Sequence, residues 1–174
     1  EGLIRQHILQ SNYEFPLLPT LIQLLDDPLH PYRQEPLIDI YYQIYQSLQL
    51  GAQPATYEAL IQTLSHHRQA LSPEEIRPLY KYAQNFCIRR INKGQNAYYA
   101  QLFQLYQSLL EGGILHINGG LSHTDFKNIV TVAVRLKAFE WTEDFLQMRG
   151  NEILPPFQES AYDYCQAMLA MEKG

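Results

Sequence analysis

Apolar residues recur along this chain at steps of three and four and nowhere in a sustained alternation of two. That period confines it to helices. Leu37, Ile40, Tyr41, Ile44, Tyr45 and Leu48 form one face, and Gly51 stands where a helix wants a left-handed residue just past its end. Tyr57, Leu60, Ile61 and Leu64 form a second face after Pro54. Ser72-Pro73-Glu74-Glu75 predicts the start of a third helix: the serine caps, the proline takes the first helical position, and Glu75 reaches back to the cap N–H. Its face runs through Ile76, Leu79, Tyr80, Ala83, Phe86, Cys87 and Ile91 to Gly94, and Pro78 inside it predicts a kink or an offset start. A fourth helix is expected from about Asn96 to Glu111, ended by Gly112-Gly113. Ser122 or Thr124 caps a fifth, with Phe126, Ile129, Val130, Ala133 and Leu136 on its face. Trp141, Phe145 and Met148 mark a short helix. Pro155-Pro156 interrupts the chain before a last one carrying Tyr162, Cys165, Met168 and Leu169. Ahead of all these, Leu17 to Leu25 reads as a helix stopped by Asp27-Pro28 and His30-Pro31. No strand hairpin is read. The expected class is all-α, with antiparallel helical hairpins stacked in order because the connections are short.

A chain of 174 residues buries roughly 68–70% or more of its unfolded surface, so neither disulfides nor a structural metal is required to hold a core. Its 46% hydrophobic and 18% charged residues are those of a folded globular protein. The net charge of −5 is repelled by phosphate backbones, which excludes nucleic acid as the default partner. Cys87 and Cys165 are the only cysteines and form no CxxC, which points to a reducing compartment, hence a cytoplasmic location. No apolar run reaches the ~18–20 residues that span a bilayer, and no membrane partner is expected. Glu1-Gly2-Leu3 carries no signal-peptide pattern. Residues 1–174 are read as one helical-repeat domain, a fragment of a longer protein.

Short Gln- and Leu-rich segments echo one another, as either an internal repeat or chance similarity of such helices would give. Tyr42-Gln-Ile-Tyr-Gln-Ser-Leu-Gln-Leu-Gly51 is echoed by Phe103-Gln-Leu-Tyr-Gln-Ser-Leu-Leu-Glu-Gly112, and more faintly by Cys165 to Gly174. Between 124 and 155, Phe126, Ile129, Ala133, Leu136, Phe139-Glu140, Phe145, Leu146 and Pro155 together resemble a tetratricopeptide repeat. Val130 stands where that family has a small residue, and Thr142 where it has alanine. A pentatricopeptide-like pattern fits equally, though the acidic charge argues against its RNA-binding role. The resemblance implies an irregular right-handed α-solenoid, whose curved surface binds extended peptides or partner helices.

Several residues invite chemistry. His66-His67, His116 and His123, with His7 and His30, have no HxxxH among them, and adjacent helical histidines point about 100° apart. No metal site is expected, and no cofactor. Cys87 falls on an apolar face and reads as core. The loop Gly112-Gly-Ile-Leu-His-Ile-Asn-Gly-Gly120 lacks the lysine and the preceding strand of a phosphate loop, so it reads as a flexible connection. Asp26-Asp27 and Glu74-Glu75 read as helix-end features. No acid, base and nucleophile group at usable spacing, so no catalytic residue is assigned.

One row stands out. Arg77, Lys81, Asn85, Arg89 and Lys93 repeat every four residues on the third helix and gather positive charge on an otherwise acidic chain. They are the expected partner-binding residues, suited to an acidic peptide. Tyr41, Tyr42, Tyr45, Tyr98, Tyr99 and Tyr106 divide between core and aromatic anchors. The expected function is a non-catalytic scaffold module binding a protein or peptide. The alternative is a regulatory or substrate-recruiting segment of an enzyme whose catalytic domain lies outside this stretch.

Overall fold

Proline opens the first four helices, where its missing N–H costs nothing and its fixed φ suits the helix. A computed structural model describes residues 16–49 and 52–174. Within them lie eight α-helices: α1 (Leu18–Leu25), α2 (Pro36–Leu48), α3 (Pro54–His66), α4 (Pro73–Asn92), α5 (Tyr98–Glu111), α6 (His123–Arg135), α7 (Phe139–Arg149) and α8 (Gln158–Lys173). Single 3₁₀ turns occupy Pro31–Gln34, Arg68–Ala70 and Gly150–Glu152. Gly51, expected as a C′ residue, lies outside the described residues.

Two compact units divide inside α4, one of Glu1–Phe86 and the other of Cys87–Gly174. In the first, α2 packs on α3. Ile40, Ile44, Tyr57, Leu60, Leu64, Ile76, Leu79 and Phe86 are buried, with the Tyr57 and Phe86 rings stacked at 5.4 Å. Arg33 ties the ends of these helices together. It donates to the Leu25 carbonyl at 2.7 Å and pairs with Asp39 at 2.8 Å, while His67 meets the other Asp39 oxygen at 3.1 Å. The guanidinium also lies 4.1 Å over the Tyr42 ring.

The start of α4 is the capping box expected from Ser72 and Glu75. Glu75 N–H donates to Ser72 Oγ (3.3 Å), and the Glu75 carboxylate accepts from Ser72 N–H (2.9 Å) and its hydroxyl (2.8 Å). The helix begins at Pro73, so Pro78 does not offset its start; it is carried, exposed, inside the helix. At the far end Gly94 takes φ +81° as a left-handed cap, and Gln95 N–H closes on the Arg90 carbonyl at 3.0 Å.

In the second unit α6 packs against α5, α7 and α8, and α7 also packs against α8. Phe126, Ile129, Val130 and Ala133 of α6 are wholly buried. An aromatic run crosses this core: Phe126 to Phe145 at 4.9 Å, Phe145 stacked on Trp141 at 5.0 Å, and Trp141 edge-on to Phe103 at 4.7 Å. Tyr106 is buried beside it, and burial first, then the Asp125 charge, push its hydroxyl pKa up. A serine N-cap, with Asp125 N–H donating to Ser122 Oγ at 3.0 Å and the Ser122 hydroxyl donating to the Asp125 carboxylate at 2.9 Å, starts α6 and selects Ser122 over Thr124.

The glycine-rich connection corrects the sequence reading. It is a structured antiparallel hairpin: β1 (His116–Ile117) pairs with β2 (Gly120–Leu121) across Asn118-Gly119. Asn118 and Gly119 have φ of +51° and +82°, as a primed turn demands, and Asn-Gly is the dipeptide that supplies such a turn most readily. The signal was in the sequence. Strands only two residues long show no alternation, so the period gave no warning.

Leu121 also bridges to Ile153, and Leu154 N–H donates to the Leu121 carbonyl at 2.9 Å. This contact explains Gly120. A Cβ there would stand 2.6 Å from the Glu152 carbonyl oxygen and 2.8 Å from Leu154 Cδ2. Gly120→Ala should therefore destabilise the protein by about 1–3 kcal/mol through overpacking. Gly119→Asn, at an open position that tolerates a left-handed residue, should cost less. Urea midpoints of the two variants test the assignment, and an unchanged midpoint for Gly120→Ala would refute it.

Candidate functional site

Residues on α4 advance by 100° each, so Ile76, Leu79, Tyr80, Ala83, Gln84, Phe86 and Cys87 fall on one side of the helix and are all buried. Arg77, Lys81, Asn85 and Arg89 fall on the other. Arg77 and Lys81 are half-buried, Asn85 and Arg89 exposed, and Lys93 sits exposed one residue past the helix end. Arg77, Lys81 and Asn85 belong to the first unit, and Arg89 and Lys93 to the second. Although the residue is exposed as a whole, desolvation on its helix-facing side, then the neighbouring Arg90 charge, lower the Arg89 pKa, but a guanidinium remains charged in a protein. Among the tyrosines, Tyr98 and Tyr106 are core, whereas Tyr41, Tyr42, Tyr45 and Tyr99 are half-buried. Tyr42 donates to Asp26 at 2.6 Å, so this hydroxyl has a structural use.

Other ionisable groups are occupied with holding segments together. His67 is engaged by Asp39, and His116 meets Glu152 at 3.0 Å, with Arg149 completing that cluster at 2.9 Å. Among the described residues no three His, Cys, Asp or Glu side chains converge as a metal would require. His7 lies outside those residues. Cys87 and Cys165 are buried thiols outside any disulfide, and burial pushes Cys165 up to about 12, against the opposing effect of Lys127. A thiol held protonated in this way is a poor nucleophile.

Two of these carboxylates give the stability a pH dependence. Hydrogen bonds from Ser72 hold Glu75 below the usual range. Burial alone would raise Glu152, but the hydrogen bonds and charges of His116 and Arg149 outweigh it and lower its pKa. A depressed carboxylate contributes stability above its unfolded pKa and loses it as pH falls through the folded value. Melting temperature should therefore fall as pH drops below about 4–5. Glu152→Gln should flatten part of that decline, and an acid branch identical to wild type would show that the cluster contributes nothing.

The surface feature that sequence reasoning missed is the seam between α7 and α8. Two shallow depressions of about 370 and 450 Å³ share Leu146, Gln147 and Tyr162 and so adjoin along the seam. Tyr162 reaches in this far because Gly150 admits its ring; a Cβ there would stand 2.6 Å from Tyr162 Cε2. Amides line the groove at Gln147, Asn151, Gln158 and Gln166, and carboxylates at Glu143, Glu159 and Asp163. Gln166 donates to the Tyr162 hydroxyl at 3.0 Å and Gln158 to the Gly150 carbonyl at 3.4 Å. Lys173 crosses the seam to pair with Glu143. Periodicity cannot reveal such a groove, since it reports which residues are buried and not which outer faces adjoin.

The chain matches no known family profile, no characterised protein and no solved structure. Its reading therefore rests on its own residues. Charge is the most informative of these. Seven of the eighteen acidic residues, but two of the thirteen lysines and arginines, fall between Phe139 and Gly174. The rest of the chain is balanced, so the whole net charge of −5 belongs to α7, α8 and their connection.

Proposed function

We propose that this chain is a non-catalytic interaction module of tetratricopeptide-like type, which binds an extended peptide or a partner helix on its helical surface. The observation that carries the reading is the α7–α8 seam, a long groove lined with amides and free of buried reactive groups. Side-chain amides each offer a donor and an acceptor, the same pair that a peptide bond presents. Further support comes from the packing of α6, α7 and α8 on one another, which a repeat followed by the first helix of its successor would give. Phe126, Ile129, Ala133, Phe145 and Leu146 are buried as the family pattern wants, while Leu136 is 36% exposed. Thr142, in the family's alanine position, is buried and turns its hydroxyl back to the Ala138 carbonyl at 2.7 Å. Buried cysteines kept as thiols suit a reducing, cytoplasmic setting. Arg77, Lys81 and Asn85 in the first unit and, separately, Arg89 and Lys93 in the second are the positions an acidic segment would use.

Selection of a phage-displayed library of linear peptides against the immobilised chain tests the reading. Enrichment of sequences that bind saturably, one per chain, is expected. Lys81→Glu/Arg89→Glu should abolish capture of any acidic peptides among them while leaving helicity unchanged. A library that never enriches above a blank surface would overturn the proposal.

A further inference from the structure

The groove's own charges narrow what it accepts. Glu159 and Asp163 are both exposed, line the same stretch of seam, and have no ion-pair partner among the described residues. They carry the local excess of negative charge, because Glu143 is already neutralised by Lys173. Nearby, Gln147 and Asn151 are exposed and make no side-chain hydrogen bond among the described residues. Between these polar edges lie Leu146 and Leu169, buried, and the flank of Tyr162, half-buried. Anionic rim, amide edge and the half-buried flank of Tyr162 thus run side by side.

We propose that the α7–α8 seam is a docking groove for a basic peptide segment held in extended conformation, an inference that rests on the interaction reading above. The sixteen residues of α8 span about 24 Å at 1.5 Å per residue, the length of roughly seven extended residues at 3.3 Å each. An extended peptide points alternate side chains to opposite sides. Lysines or arginines at every second position can meet Glu159 and Asp163 while small apolar residues between them lie against the half-buried flank of Tyr162. Its main chain then meets the amides of Gln147 and Asn151. The charge complementarity selects against acidic segments, the opposite sign to that which the α4 row would choose.

The test uses the full chain and a fluorescein-labelled octapeptide, Lys-Leu-Arg-Ala-Lys-Leu-Arg-Ala, with a counterpart in which every Lys and Arg is Glu. Fluorescence anisotropy should show saturable binding of the basic peptide, weakened by added salt, and none of the acidic one. Glu159→Lys/Asp163→Lys should weaken that binding by about tenfold or more. Glu35→Lys/Glu58→Lys changes the net charge by the same amount at exposed positions in the first unit and should leave binding within about twofold. Melting curves of both variants should match wild type, since exposed charge changes usually cost less than about 0.5 kcal/mol. Equal weakening by the two variants would reduce the effect to bulk charge and overturn the groove, as would a groove variant that binds normally. Phage-selected peptides without Lys or Arg, unaffected by the groove variant, would end this inference and leave the interaction reading standing. Failure of every peptide to bind would end both.

Discussion

Phe126→Ala should destabilise the second unit by about 3–5 kcal/mol. The ring is fully buried on α6, the helix that touches α5, α7 and α8, and it packs 4.9 Å from Phe145 at the end of the aromatic run. Removing it withdraws a large apolar surface from three helix contacts at once, and α6 cannot collapse toward all three partners together. The expected fall in melting temperature is on the order of 10 °C. Leu136→Ala on the same helix's C-cap is the control, because that side chain is 36% exposed and should cost about 1 kcal/mol or less. Urea unfolding followed by circular dichroism measures both. A Phe126→Ala midpoint no lower than that of Leu136→Ala would show that α6 is not the centre of this core.

Asp39→Ala should be nearly as severe in the first unit, at about 2–3 kcal/mol, below the value for a fully buried pair because the group keeps some solvent. Its carboxylate has 17% exposure and holds Arg33 and His67, which have 11% and 12%. Truncation leaves a guanidinium that is still tied to the Leu25 carbonyl but has lost its counter-charge. Asp39→Asn separates the charge from the hydrogen bonds, since an amide oxygen can still accept from Arg33. If both variants lose the same amount, the pairing is electrostatic. If Asn recovers most of the stability, hydrogen bonding dominates. No loss in either variant would mean that Arg33 and His67 find other partners and that the network does not hold these helix ends.

Helices were legible because burial and period coincide: Ser72 and Glu75 capped where they were read, and Phe126, Ile129 and Cys165 are buried. The outward turn of Asn85 was legible for the same reason, as a wheel that buries Ile76 and Ala83 must expose it, whereas Arg77 and Lys81 are half-buried. Asn118-Gly119 was legible in principle but was outweighed by the helical period on either side. The seam was not. Leu146, Gln147, Tyr162 and Asp163 become neighbours only because α7 and α8 lie together, and one chain's pattern does not encode which outer faces meet. Asp39 with His67 was hidden likewise, being joined across a separation of 28 residues.

The clasp between Leu121 and Ile153–Leu154 has a topological consequence. It joins the residues just before α6 to those just after α7, so the chain from Leu121 to Leu154 is a loop fastened at its base by backbone hydrogen bonds. The other end of that loop is Leu136-Lys137, exposed, with Lys137 at φ +58°. A nick there would cut the polypeptide without parting the pieces, because α6 and α7 would stay packed and their bases stay clasped.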